Sequence, residues 1–283
     1  MPIWTYSEPD GPPKSLQNQK SVGKCIYCGS EEKLTTEHVV PAGMRGRVTL
    51  PNGSCDGCSK ITQEIETECM RQTLLLVRIQ HDLHQHSGEK PPTQPIILKY
   101  GDGKEIIIDL PTSQTPVITP LPIFEYPGIL TNAHPDQTGS VLLNVFEEDG
   151  RDEKWRRLFL VFPKAATASV RSSPIRVTTF YRWLAKVAYA YAVACLGYEE
   201  IKHSPLAEIV RSGGTHYNYY IGGNNAYQPP SQEFRLEAPS PELFRISLAD
   251  QVTNDGKKYW VANIRFLPKL SFPTYIVVVG EKR

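Results

Sequence analysis

The sequence predicts an α+β fold: a small N-terminal strand–strand–helix unit followed by a larger region of mixed helices and strands. Three observations support this prediction. Two Cys-x-x-Cys pairs bracket two short β-prone segments, and a segment with helical periodicity follows the second pair. A second helical repeat covers 178–196. Further β-prone runs lie between 244 and 279.

Composition limits the kind of protein this can be. The 283 residues, 40% hydrophobic and 22% charged, suffice for one large or two smaller domains with a sizeable core. The net charge of +1 marks neither a nucleic-acid nor a membrane partner for the chain as a whole. No apolar run approaches the ~20 residues of a membrane span, and the N-terminus lacks the apolar stretch of a signal peptide. We therefore expect a cytoplasmic protein.

The predicted organisation has three parts. Residues 1–24, rich in proline and polar side chains, are expected to form an extended arm whose Trp4 and Tyr6 contact the rest of the protein. Residues 25–87 hold the strand–strand–helix unit, with a long helix from about 59 to about 84. Residues 88–283 are expected to form a mixed α+β region that selects a substrate or partner.

Local patterns place the individual elements. In the first unit, strands are predicted at 33–40 and 47–50, with Pro51-Asn-Gly53 turning the chain back. Downstream, the predicted elements are a hairpin pairing 96–98 with 106–108, strands at 141–146 and 158–162, an acidic turn at 147–153, the helix at 178–196 ending at Gly197, a loop at 212–230, and strands at 244–248, 258–266 and 275–279.

Four of the six cysteines form the two pairs Cys25/Cys28 and Cys55/Cys58. In a chain without an export signal, such pairs are typical of metal ligands rather than disulfides. Twenty-six residues separate Cys28 from Cys55, which is compatible with a hairpin between the pairs. We predict that the four thiolates share one structural Zn²⁺. Four buried free thiols, or a redox dithiol, are the alternatives.

The segments around these pairs are Cys25-Ile-Tyr-Cys28-Gly, Leu34-Thr-Thr-Glu37-His38-Val-Val-Pro41 and Leu50-Pro-Asn-Gly-Ser-Cys55-Asp-Gly-Cys58. Together they resemble the HNH endonucleases, whose nuclease core is the ββα-metal finger. The resemblance covers roughly residues 25–68. It is carried by the two cysteine pairs, an acidic residue and a histidine followed by a proline, and a helix after the second pair.

The resemblance implies roles for individual residues. His38 is the expected general base, because an imidazole accepts a proton from water near neutral pH. Glu37 is the expected oxygen ligand of a catalytic Mg²⁺ or Mn²⁺. Asn52 is the expected middle asparagine, which braces the loop that bears the base, although a plain turn role for it is equally compatible with Pro-Asn-Gly. The alternative for His38 is a structural strand histidine.

The sequence departs from the family after the second cysteine pair. The family commonly has Asn or His there as a metal ligand, and this chain has Ser59. Glu64 and Glu68 follow on one face of the predicted helix, and Glu64, nearer the helix start, is the favoured replacement ligand. The alternative is an exposed acidic face shared with Glu66.

Basic residues suggest where phosphate binds. Arg45, Arg47 and Lys60 flank the predicted site. Between 154 and 186 lies a stretch of eight Lys/Arg without Asp or Glu, interleaved with aromatic residues, a pattern that suits contact with a nucleic-acid backbone and unpaired bases. The nucleic-acid contacts predicted from this stretch are Arg156, Arg157, Arg171, Arg176 and Arg182. Solvated charges on core elements are the alternative.

The leading hypothesis is a metal-dependent endonuclease or nickase that hydrolyses phosphodiester bonds in DNA, with RNA less favoured. The resemblance further suggests bacterial restriction or anti-phage defence, with proteins of such a system as partners. A second hypothesis is a catalytically inactive zinc module that binds nucleic acid, which Ser59 favours. A third is a zinc-containing scaffold for protein contacts.

Overall fold

The computed structural model describes residues 4–7, 16–75, 78, 83, 93–116, 118–137, 139–147, 151–171, 175–214, 216–224, 243–268 and 272–282. The strands within these ranges are β1 (Trp4–Ser7), β2 (Leu34–His38), β3 (Thr49–Cys55), β4 (Thr93–Tyr100), β5 (Glu105–Pro111), β6 (Ile118–Phe124), β7 (Val141–Glu147), β8 (Ala165–Val170), β9 (Ile221–Gly223), β10 (Phe244–Val252), β11 (Lys258–Phe266) and β12 (Thr274–Glu281). The α-helices are α1 (Asp56–Glu68), α2 (Arg151–Val161), α3 (Val177–Leu196), α4 (Tyr198–Ile201), α5 (Leu206–Ser212) and α6 (Tyr217–Tyr220). This mixture of helices and strands agrees with the predicted α+β class.

The chain divides into two compact units, each assembled from separate stretches of sequence. The first contains residues 1–69, 122–143 and 176–283, and the second contains 70–121 and 144–175. The boundaries predicted after residues 24 and 87 stay predictions. Among the described residues, no helix combines the length and the apolar character required to cross a bilayer.

The first unit contains a five-stranded antiparallel sheet in the order β1-β10-β11-β12-β9. Strands β10, β11 and β12 follow one another in the chain, as the C-terminal pattern predicts. The predicted N-terminal arm supplies the edge strand: Trp4 pairs with Leu248 and Ser7 with Arg245.

Helix α3 joins the sheet to the strand–strand–helix unit. Every residue from Trp183 to Ala194 is buried, as in a helix enclosed on all sides. Towards the sheet, Trp183 stacks on Phe266 with ring centroids 4.4 Å apart. Towards the strand–strand–helix unit, the Tyr189 hydroxyl donates a hydrogen bond of 2.8 Å to the carbonyl oxygen of Ile26. One long helix therefore forms the core of the first unit.

The strand–strand–helix unit consists of β2, β3 and α1. Leu34 pairs with Cys55 at one end of the two-stranded sheet and His38 pairs with Thr49 at the other. Between Thr35 and Glu37 the register shifts, so Pro51-Asn52-Gly53 bulges out of β3 instead of ending it. The predicted turn at these residues is therefore wrong. Gly53 suits the bulge, since a Cβ there would lie 2.9 Å from the Leu50 carbonyl oxygen.

The second unit packs α2 against the three-stranded sheet β5-β4-β8. Its core contains Ile96, Leu98 and Leu158. The hairpin β4–β5 agrees with the prediction. The strand predicted at 158–162 is wrong, because these residues lie mostly in α2, where the acidic first turn favours a helix. The acidic turn predicted at 147–153 is correspondingly replaced by the end of β7 and the start of α2 within the described residues.

The first helix, α1, has other boundaries than the sequence predicts. It begins at Asp56, three residues earlier than expected, and its α-helical part ends at Glu68. A π-helical turn follows over Cys69–Thr73. Most of the remaining predicted span, to residue 84, lies outside the described residues. The second predicted helix is α3, which Gly197 ends with a φ of 87°.

Candidate metal centre and the surroundings of His38

The cysteine pairs meet at one end of the strand–strand–helix unit. Cys25 and Cys28 lie in a tight turn that the backbone N–H of Gly29 closes on the carbonyl oxygen of Cys25, at 2.8 Å. Gly29 has a φ of 77°, which an L-residue adopts only with strain. Cys55 ends β3 and caps α1, and Cys58 lies in the first turn of that helix. The two turns therefore bring all four side chains together.

The geometry of the four thiols fits a metal ion. All four Sγ atoms lie within 4.8 Å of one another. The Sγ atoms of Cys28 and Cys55 are 3.6 Å apart. Tetrahedral Zn²⁺, with Zn–S bonds of about 2.3 Å, places its sulfurs about 3.8 Å apart. The cluster can therefore hold a metal ion such as zinc, and a shell of four thiolates leaves no open coordination position for chemistry.

The protein environment acts differently on the individual thiols. Burial raises the pKa of Cys25 and, together with the neighbouring thiols, that of Cys58. At Cys55, burial also acts to raise the pKa, but the backbone N–H of Cys58 and the adjacent thiols lower it to about 7. Of these three thiols, Cys55 most readily supplies a thiolate. Metal binding must displace protons from Cys25 and Cys58.

His38 and Glu37 occupy opposite sides of β2. The His38 side chain is exposed, whereas Glu37 is only 4% exposed. This is the alternation expected of neighbours in a strand. The Glu37 carboxylate accepts a hydrogen bond from the Tyr27 hydroxyl at 3.2 Å and lies 3.0 Å from the ammonium of Lys186. The predicted base therefore faces solvent, and the predicted metal ligand beside it is already engaged by a cation.

Lys186 is the centre of a charge cluster that the sequence did not predict. Its side chain is completely buried on α3, yet its Nζ lies 2.6 Å from an oxygen of Glu66 as well as 3.0 Å from Glu37. It also donates to the carbonyl oxygens of His38 and Val39. Burial alone would lower the pKa of Lys186, but the two carboxylates raise it above the ordinary value. The lysine is therefore charged at neutral pH.

The other predicted ligands lie elsewhere. Asn52, with a φ of 52°, donates from its side-chain amide to the Ser21 hydroxyl at 2.9 Å, so it ties the bulge of β3 to the segment before Cys25. Glu64 is exposed on α1, and Ser59 is partly buried in its first turns. Glu68 forms an ion pair with Arg176, with 3.5 Å between Oε1 and Nε. No described contact joins Asn52 or Glu64 to Glu37.

The predicted nucleic-acid contacts fall into several environments. Arg45, Arg47 and Lys60 are exposed near the strand–strand–helix unit. Within α2, Arg156 and Arg157 pair with Glu153.

The basic stretch between 154 and 186 is divided between the two units. Arg171 is exposed after β8, in the second unit. In the first unit, Arg182 donates to the carbonyl oxygens of Val210 and Arg211 at the end of α5. Its guanidinium therefore caps the C-terminus of that helix. Lys186, the last member of the stretch, is buried.

The sequence contains one sign that Lys186 is paired. From Trp183 to Cys195, Lys186 is the only charged residue. A single charge inside a helix that is apolar on all sides requires a buried counter-charge. The sequence does not reveal which carboxylates supply it, because Glu37 and Glu66 are distant along the chain.

Comparisons with known proteins add no relative. No protein-family model, no curated protein and no solved structure matches this chain.

Proposed function

We propose that the strand–strand–helix unit is the nuclease core of an HNH-type endonuclease or nickase that hydrolyses phosphodiester bonds in DNA. The observation that carries the proposal is the exposed His38 at the end of the first strand of a unit whose strands and helix are joined by four clustered cysteines. The order of cysteine pair, strand, strand, cysteine pair and helix is the one that the resemblance implies.

His38 is proposed as the general base. Its exposed imidazole can accept a proton from a water molecule that attacks a phosphodiester bound at the surface of β2. Residues of this unit support that task without reacting. β2 positions the ring, and the four cysteines, which would hold the zinc, join the turn before β2 to the end of β3 and the start of α1. The exposed cationic residues Arg45, Arg47 and Lys60 are proposed to contact flanking phosphates.

A Mg²⁺ or Mn²⁺ ion is proposed as the electrophile that stabilises the leaving oxygen. The sequence predicts Glu37 and Glu64 as its protein ligands. Glu64 is exposed, whereas Glu37 is buried and paired with Lys186. Phosphate oxygens of the substrate and water can complete the coordination of an ion held by few protein ligands.

The test is nicking of supercoiled plasmid by purified protein with Mg²⁺ or Mn²⁺. We expect His38→Ala to slow cleavage on the order of 100-fold to 10,000-fold, the usual contribution of a general base. The matched control is His203→Ala, which removes an exposed imidazole that lies outside β2, β3 and α1. Cleavage by His38→Ala at the parent rate would exclude His38 as the base.

The second candidate function is a catalytically inactive zinc module that binds nucleic acid or protein. The pairing of Glu37 with Lys186 favours it, since the predicted metal ligand is occupied, and so does Ser59 in place of Asn or His. This candidate predicts no nicking by the parent or by His38→Ala, together with binding of DNA at low salt, where phosphate contacts are strongest. Absence of both cleavage and binding would favour the protein scaffold.

A further inference from the structure

Lys186 contacts three consecutive residues of the segment that bears the proposed base. Its ammonium reaches the side chain of Glu37 and the main-chain carbonyl oxygens of His38 and Val39. These three residues span the end of β2, where pairing with β3 stops at Thr49. Just beyond this pair, the N–H of Val39 still donates to the carbonyl oxygen of Val48 at 3.0 Å. Lys186 adds further contacts from a helix 148 residues further along the sequence.

The cluster also has the donor set of a hard cation. Two carboxylates, from Glu37 and Glu66, and two main-chain carbonyl oxygens surround one positive charge. Oxygen ligands of this kind bind Mg²⁺ or Ca²⁺ in other sites. Here the cation at the centre of these oxygens is the side chain of Lys186. In the same arrangement, Oε1 of the buried Glu37 contacts both the Tyr27 hydroxyl and the Lys186 ammonium.

We propose that Lys186 is the positioning residue for His38: it replaces a divalent ion beside Glu37 and fixes the main chain of residues 37–39, so that the imidazole is held at the surface. This inference rests on the proposed role of His38 as the base. It assigns Glu37 to the anchoring of β2 rather than to the catalytic cation. Any ion that assists hydrolysis then binds on the exposed side of β2, where His38 lies.

A purely structural ion cluster is the competing explanation, and two variants separate the explanations. The neutral variant Lys186→Met/Glu37→Gln/Glu66→Gln removes all three charges together, which avoids leaving an unpaired buried charge. Lys186→Arg keeps the positive charge but changes the positions of the hydrogen-bond donors, because the guanidinium group is planar and rigid. The control is Lys202→Met, which removes an exposed lysine paired with Glu199.

The measurement is the ring chemical shifts of His38 in zinc-loaded protein, assigned by the signal that disappears in His38→Ala. Variants are first checked for zinc content and cooperative melting. In each variant that folds, we expect the His38 ring signals to shift or broaden while the other histidine signals match those of the parent. In Lys202→Met, all histidine signals should match those of the parent. His38 signals unchanged in the folded variants would overturn the proposal.

Plasmid nicking separates this inference from the proposed function. If the parent cleaves DNA, a folded Lys186 variant is expected to cleave on the order of 10-fold to 100-fold more slowly, as a misplaced catalytic group does. A cleavage rate equal to that of the parent would overturn the positioning role. If the parent does not cleave, the nuclease proposal fails, and the ring signals of His38 still decide whether Lys186 fixes this segment.

Discussion

Two clusters hold the strand–strand–helix unit, one at each end of β2. At the start of the strand, next to Leu34, four thiols gather around a position suited to a metal ion. At the end, beside His38, the ammonium of Lys186 lies among four oxygen atoms. The first cluster can take up a cation from solution, whereas the cation of the second is the side chain of Lys186. We therefore expect the start of β2 to be sensitive to removal of metal ions, and its end to be sensitive to substitution of Lys186.

The largest expected effect is loss of the thiol cluster. Cys25→Ser removes one of the four ligands, and structural zinc contributes about 10–16 kcal/mol of apparent binding free energy in small zinc domains. We expect loss of zinc and unfolding of the strand–strand–helix unit, measured by metal content and thermal melting. Cys195→Ser, outside the cluster, is the control and should keep its zinc. Full zinc content and parental melting in Cys25→Ser would contradict a four-cysteine site.

The next effect comes from the opposite end of β2. Lys186→Met leaves two carboxylates without their counter-charge, and breaking a buried ion pair in this way costs about 3–5 kcal/mol. The free energy of unfolding in urea should fall by that amount in the zinc-loaded protein. Lys202→Met removes a surface pair and should cost about 0–1 kcal/mol. Equal losses in both variants would mean that the cluster contributes no more than a surface pair.

A smaller effect is expected where the chain passes from β2 to β3. A Cβ at Gly46 would lie 2.2 Å from the Val40 carbonyl oxygen, which is main chain and cannot rotate away. Gly46→Ala should therefore reduce the free energy of unfolding by about 1–3 kcal/mol. Gly57→Ala is the matched control, because that Cβ meets nothing within 4 Å and alanine favours the helix by up to about 1 kcal/mol. An unchanged free energy of unfolding in Gly46→Ala would show that the close contact with Val40 does not limit this position.

The smallest effect concerns alkaline pH. The pKa of Lys186 is raised by Glu37 and Glu66 against the effect of burial. A lysine with a raised folded-state pKa contributes its full stability below the unfolded value, near 10.5, and loses it as pH rises through the folded value. The difference in unfolding free energy between the parent and Lys186→Met should stay constant from about pH 8 to 10 and shrink only above 10.5. Shrinkage already below about pH 9 would show that the carboxylates do not hold the charge.

Much of the fold follows from local patterns, and the failures have specific causes. The β4–β5 hairpin, α3 and the three C-terminal strands carry strong periodicity, and the structure confirms them. The run Leu158-Phe-Leu-Val-Phe162 is short and apolar, so it suits a strand or a buried helix equally. Its helical state is set by the acidic residues just before it and by the sheet on which Leu158 packs.

In the candidate site, too, local sequence patterns predict one part and miss another. Cysteine spacing predicts the thiol cluster, because each pair is a local motif whose two ligands are three residues apart. The oxygen cluster depends on α3 meeting β2 and α1, a contact between distant parts of the chain that no local pattern encodes. The predictions for Glu37, Glu64 and Asn52 as catalytic residues stay predictions.

The burial of α3 has a practical consequence for dividing this protein. A fragment limited to residues 25–75 would contain both cysteine pairs, but it would lack the helix that supplies Lys186 and Tyr189. Glu37 and Glu66 would then repel each other beside an uncovered apolar surface. A transfer of the strand–strand–helix unit into another protein therefore has to include α3.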